Sequence, residues 1–239
     1  MAFDVLDPNR RRWWNASWAM YTHLLAADLR GRKVLVAGCG FGADAIRLAR
    51  MGACVSAFDL SPDVLAIARR TAREAGVEIA FAEMAAEDPH YPSGGFDCIV
   101  ARDILHHVEI DRAMAGMSRV AAPGARLVVN EVYSHTLLGK VRHSRLVTHR
   151  LYPRMVDYVY EGEAPYITPD ERKLDQRDIR RIRSHLGDST CAYFSFFVTR
   201  LVPPRYTRLA KLDRLVLKGL GPAGAVLAGR VLLTGRFPC

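Results

Sequence analysis

The sequence predicts an α/β fold, a mostly parallel sheet layered between helices, and three observations carry that reading. An apolar run, Val34-Leu35-Val36-Ala37, breaks abruptly into Gly38, Gly40 and Gly42 and resumes with helical periodicity from Ala43. A second short apolar stretch from Ala53 to Phe58 ends in Asp59 and is followed at once by the helix start Ser61-Pro62-Asp63. Strand-like and helix-like segments then alternate as far as residue 132, the pattern of βαβ units with helices on both faces of the sheet.

The elements follow in order. Residues 9–29 predict one or two helices, with Trp13, Trp14 and Trp18 near one another, ending before Gly31 and lying over the cleft that the glycines open. Strands are predicted over 33–37, 53–58, 77–81, 96–101 and 125–132, with helices over 43–50, 62–75 and 111–121. Between 133 and 166 the periodicity is lost and aromatic, His and Arg residues accumulate, among them Tyr133, His135, His143 and Tyr160. That segment predicts a cap inserted after the fifth strand. Thr168-Pro169-Asp170-Glu171 starts a helix, with Thr as N-cap and Pro at the first helical position. A helix restarts over 174–178 and ends at Gly187, and 191–198 and 230–236 read as the last two strands. Between them Arg205 to Leu220 is a basic amphipathic helix whose stripe of Leu209, Leu212, Val216 and Leu220 is expected to pack on the core.

The glycine loop carries the chemistry. Without Cβ atoms the backbone turns sharply and approaches a ligand, and the helix behind it offers unpaired N–H groups and a positive dipole end. A nucleotide-like cofactor suits such a site. Gly38-x-Gly40-x-x-Ala43 also satisfies the relaxed dinucleotide fingerprint, with Asp59 near the spacing of a ribose-binding acid at a strand's carboxyl end. An NAD(P)-dependent oxidoreductase is therefore an alternative, although the Tyr-x-x-x-Lys pair of short-chain dehydrogenases is missing.

The glycine loop at 38–42, Asp59, the strand entry Phe96-Asp97, Leu105-His106-His107, and Pro123-Gly124 before Arg126 to Asn130 run in one order over residues 34–131. Together they resemble the class I S-adenosylmethionine-dependent methyltransferases, in particular the small-molecule branch of quinone biosynthesis. The resemblance implies a three-layer, Rossmann-like, seven-stranded, mostly parallel sheet with an antiparallel edge strand. It implies one domain over 1–239, with an N-terminal helical cap (1–30) and the insertion over 133–166. S-adenosylmethionine would lie over Gly38, Cys39, Gly40 and Gly42, with its ribose on Asp59 beside Leu60. Arg102 and Asp103 would line the methionine carboxylate and amine, and Ala101 beside them is a further cofactor-binding candidate. Two positions depart from the family pattern: Val36 stands where an acid is usual, and so does Ala85. Glu83, Glu87 and the backbone N–H of Ala86 are the neighbouring candidates for the adenine contact, and the departures motivate a second alternative, a cofactor-binding protein with a non-methylating activity.

Methyl transfer is an in-line displacement, so a protein mainly aligns the acceptor, excludes water and removes a proton. His106 and His107, after the fourth strand, are candidate bases because an imidazole titrates near neutral pH. Tyr133 and His135, beyond the fifth strand, form the second candidate pair. No metal site is expected, since the eight His residues form no recognised ligand spacing with acids. Nor is nucleic acid expected as substrate: the Asn/Asp-Pro-Pro-aromatic motif that holds a flipped base amine is missing, and Pro203-Pro204 is followed by Arg205.

Charge is uneven along the chain. From Gly139 onwards there are 19 Lys/Arg against 9 Asp/Glu, a net +10, while the first 138 residues hold 15 against 16. This basic excess reads as a solubilising surface, as a site for an anionic or lipid-linked acceptor, or as a membrane contact. Asp4, Asp7 and Arg10 to Arg12 interrupt any secretory core, and the five scattered cysteines read as reduced thiols. The expectation is a cytoplasmic protein, with peripheral membrane contact as a variant.

Overall fold

A computed structural model describes residues 7, 12–136, 172–198, 201–203 and 205–239. The cap expected over 133–166 and the helix start at Thr168 fall largely outside these residues.

The alternating segments form a seven-stranded sheet in the order β3-β2-β1-β4-β5-β7-β6. Its strands are β1 (Lys33–Ala37), β2 (Cys54–Asp59), β3 (Ala80–Glu83), β4 (Phe96–Arg102), β5 (Ala121–Val132), β6 (Asp188–Phe194) and β7 (Arg230–Arg236). The first five run parallel, and β7 lies antiparallel between β5 and β6. Strand order reverses between β1 and β4, so the loops after those two strands diverge and open the crevice in which such sheets bind ligands.

Alternation along each strand divides the core between two faces. Leu35, Ile99, Leu127 and Leu233 point to one face, covered by α4 (Ile110–Val120) and α5 (Gln176–Ser184). Val34, Val36, Val100 and Leu232 point to the other, covered by α1 (Ala16–Ala26), α2 (Ala43–Arg50) and α3 (Pro62–Glu74). Val36 is thus a core residue beneath Met20 and Tyr21 of α1, in an apolar cluster where an unpaired acid is costly.

Several boundaries differ from those the periodicity predicts. The N-terminal helix is shorter, Ala16–Ala26, because the Asn15 side chain accepts hydrogen bonds from the Ser17 and Trp18 N–H groups and fixes its start. Strand β3 begins at Ala80 rather than 77, because Gly76 (φ +67°) and Val77 close α3: their N–H groups donate to the carbonyls of Arg73 and Ala72. Strand β6 ends at Phe194 rather than 198. Ser195 adopts φ +63°, and the next three N–H groups turn away to the Asp213 carboxylate. Asp213 belongs to α6 (Thr207–Gly219), a helix that also departs from expectation. Its buried residues are Ala210, Asp213 and Leu217, while Leu209, Leu212 and Leu220 of the expected core stripe are exposed. A short helix, α7 (Gly224–Leu227), leads into β7.

Candidate active site

The loops at the carboxyl ends of β1, β2, β4 and β5 converge on one edge of the sheet. At the end of β1 the glycines serve different needs. A Cβ on Gly38 would stand 2.6 Å from the Ile104 side chain, so Gly38 lets the loop after β4 pack against it. A Cβ on Gly40 would meet nothing within 4 Å and, at φ +52°, would project into open space. That open position leaves room for a ligand beside the loop. Asp59 at the end of β2 accepts from the Gly40 N–H at 2.8 Å and the Ser61 N–H at 3.2 Å. Two N–H bonds leave a carboxylate with acceptor capacity for a pair of hydroxyls. Leu60, 70 % exposed, and Phe41 flank the acid with apolar surface. Burial, with the Asp59 charge nearby, pushes the Cys39 thiol up to about 12, so this cysteine stays protonated and takes no nucleophilic part at neutral pH.

Ala101 and Arg102 close β4 beside Val129 and Asn130 of β5. Arg102 does not stand alone: its Nε lies 2.8 Å from the buried Asp44 carboxylate, which also receives the Tyr21 hydroxyl and Arg47 at 3.1 Å. This cluster ties α1 and α2 to the end of β4. Asp103, at φ +55°, pairs with Arg230, whose Nε also donates to Asn130 at 2.8 Å. On the far side of the loop Ala86 is buried, and Glu87 accepts from the Glu109 N–H at 3.1 Å.

The turn after β4 is organised by Glu131, which is fully buried in β5. One of its oxygens accepts from the N–H groups of Ile104 and Leu105, both at 2.7 Å. The other lies 2.7 Å from Nδ1 of His106, which is 5 % exposed. With a carboxylate on Nδ1, the neutral ring carries its proton there and leaves Nε2 as the basic nitrogen. His107 is exposed and stacks on His106 with ring centroids 3.9 Å apart. Tyr133 is buried against Tyr193, with centroids 5.4 Å apart, and its hydroxyl has no hydrogen-bond partner among the described residues. Burial, then Tyr193 and Asp175, raise that hydroxyl above the ordinary phenol range, so Tyr133 can donate a hydrogen bond but not act as a phenolate. His135 lies beyond it, partly buried.

Asp103, His106 and Glu131 place ligand-capable atoms within 4.8 Å of one another, the arrangement among the described residues that most resembles a metal site. Each is already engaged, Asp103 by Arg230 and Glu131 by two N–H groups and His106, so the cluster reads as a hydrogen-bonded network.

Residues 34–124 match a family model described as a methyltransferase domain. That match covers less than half of the chain and makes it similar, over those residues, to methyltransferase domains. Over 105 residues it is 33% identical to a ubiquinone biosynthesis O-methyltransferase of Xanthomonas oryzae, covering 43% of this chain and 44% of that protein. Over 110 residues it is 36% identical to a demethylmenaquinone methyltransferase of Thermus thermophilus, covering 45% and 50%. The matched region therefore spans half or less of these relatives. A solved S-adenosylmethionine-dependent methyltransferase from Mesorhizobium loti shares the fold, with a TM-score of 0.58 at 17% identity over 93% of this chain and 98% of that one. S-adenosylmethionine, the cofactor that the resemblance implies, would find room beside Gly40 and unused acceptor capacity on Asp59.

Glu131, Asp44 and Tyr21 are the residues that sequence reasoning missed. For Glu131 a signal existed: an acid inside the apolar run Leu127 to Val132, one sheet position from a strand end that carries histidines. Asp44 and Tyr21 meet only through the packing of α1 on α2, and no spacing announces them.

Proposed function

We propose that this chain transfers a methyl group from S-adenosylmethionine to an oxygen or carbon of a small-molecule or lipid-like acceptor, with His106 as the base that Glu131 orients. The observation that carries this reading is the buried His106–Glu131 pair at 2.7 Å, set at the end of β4 beside the glycine loop. Bound over that loop, the cofactor supplies a methyl carbon made electrophilic by its sulfonium. Asp59 holds the ribose hydroxyls, and His106 accepts the acceptor's proton at Nε2 as the new bond forms. Glu131 fixes the tautomer and offsets the charge of the imidazolium so produced. The names of the Xanthomonas and Thermus relatives concern ubiquinone biosynthesis and demethylmenaquinone, which favours a quinone-like, apolar acceptor.

Transfer of labelled methyl groups to short-chain hydroquinone and phenol acceptors tests the reading. His106→Gln and Glu131→Gln are expected to lower the rate by about 10²-fold or more while cofactor affinity stays near wild type. An equal fall in rate and affinity would mean that the pair is structural. Tight cofactor binding with no methylation of any acceptor would support the non-methylating alternative.

A further inference from the structure

Among the described residues, the exposed side of α6 is a feature that the proposed methyl transfer leaves unused. The helix is fastened by its inner side: Asp213 accepts from the N–H groups of Phe196, Phe197 and Val198 at 3.1, 2.6 and 3.1 Å. Arg214 lies over the Phe194 ring and donates to the Tyr193 carbonyl at 3.2 Å. With that side fixed, residues three or seven apart in sequence form two rows on the outer side. One is apolar: Leu209, Leu212 and Leu215, exposed by 40, 50 and 54%. The other is basic, with Arg208, Lys211 and Lys218, all exposed. From Arg205 to Leu220 the chain carries five basic residues, and its single acid, Asp213, is buried. The outer side therefore carries positive charge and leucine, with no negative charge. Trp13, half exposed, and Trp14, whose ring lies 4.9 Å from the Lys211 ammonium, adjoin the basic row.

Phosphate-rich polymers are recognised by basic residues without a row of leucines, and an apolar protein interface does not call for a uniformly basic flank. Leucine beside lysine and arginine, with tryptophan at the margin, matches the boundary between acyl chains and anionic headgroups. We propose that α6, with Trp13 and Trp14, docks flat on an anionic membrane surface. The contact is peripheral, because no helix of the described residues is long and apolar enough to cross a membrane. The register sets where the surface lies. Arg230, which opens β7, pairs with both Val132 and Phe194, so α6 leaves the sheet at the same edge as Tyr133 and the turn that holds His106. A bilayer under α6 thus lies on the site's side of the molecule, where a lipid-like acceptor enters.

Vesicle flotation of the full chain tests this independently of methylation. Binding is expected to vesicles of phosphatidylcholine mixed with phosphatidylglycerol, at least about tenfold more strongly than to phosphatidylcholine alone, and to weaken in high salt. Reversing Arg208, Lys211 and Lys218 to Glu, and separately replacing Leu212 and Leu215 by Ser, should each lower binding at least about tenfold. S-adenosylmethionine affinity, read by calorimetry, should stay unchanged in both variants and so establish that they fold. Equal binding to both vesicle types, no binding, or binding that survives both variants would overturn the proposal. So would a wild-type dimer that the Leu212→Ser/Leu215→Ser variant dissolves in the absence of vesicles, because the face would then be an interface between copies.

Discussion

Gly38 and Gly40 stand two residues apart and are needed for opposite reasons. A side chain at Gly38 would strike Ile104, whose backbone belongs to the turn that Glu131 and His106 organise. A side chain at Gly40 would enter the open space beside the loop. Gly38→Ala should therefore lower stability by about 1–3 kcal/mol, from overpacking and a positive φ, read as a lower midpoint in urea. Gly40→Val should abolish measurable S-adenosylmethionine binding in a chain that still unfolds cooperatively. Normal cofactor binding by Gly40→Val would remove the ligand from the loop. The sequence made the glycines legible because their signal is local, an apolar run that stops and restarts. Glu131 was not read, since its role depends on three groups 25 to 27 residues away. Val36 is also explained at this scale: it faces the apolar layer beneath α1, while charge in that region gathers instead on Asp44.

At the scale of elements, β1, β2 and β4 lie close to their expected ranges because buried parallel strands read as continuous apolar runs, whereas β5 begins at Ala121 rather than 125. The C-terminal elements were less legible. An apolar pattern from Cys191 to Val198 continues past the point where Ser195 turns the chain, and only Asp213, 15 to 17 residues on, accounts for the turn. The stripe on α6 has core-like periodicity, yet the helix buries a carboxylate rather than those leucines. Asp213→Ala leaves three N–H groups without their acceptor, two of them only part-buried, and should cost about 2–4 kcal/mol. Urea unfolding checks this, and a loss below about 0.5 kcal/mol would mean that α6 is held by its apolar contacts alone.

At the scale of the whole molecule, the reversal of strand order between β1 and β4 puts every candidate group on one edge: Gly38 to Gly42, Asp59, Arg102, His106 and Tyr133. The same edge carries Arg230 and the connection to the basic helix α6. The crevice beside the glycine loop, the buried His106–Glu131 pair and the basic, leucine-bearing side of α6 thus lie toward one edge, although Gly38 and Arg205 are 167 positions apart in sequence. Whether the crevice holds S-adenosylmethionine on Asp59 is decided by calorimetric titration of wild type and Asp59→Ala. S-adenosylmethionine and S-adenosylhomocysteine should bind and NADPH should not, and Asp59→Ala should weaken the first two by about 1–3 kcal/mol, the range for a lost charge-assisted hydrogen bond. Binding of NADPH in place of the S-adenosyl compounds, or undiminished affinity in a folded Asp59→Ala protein, would contradict the account.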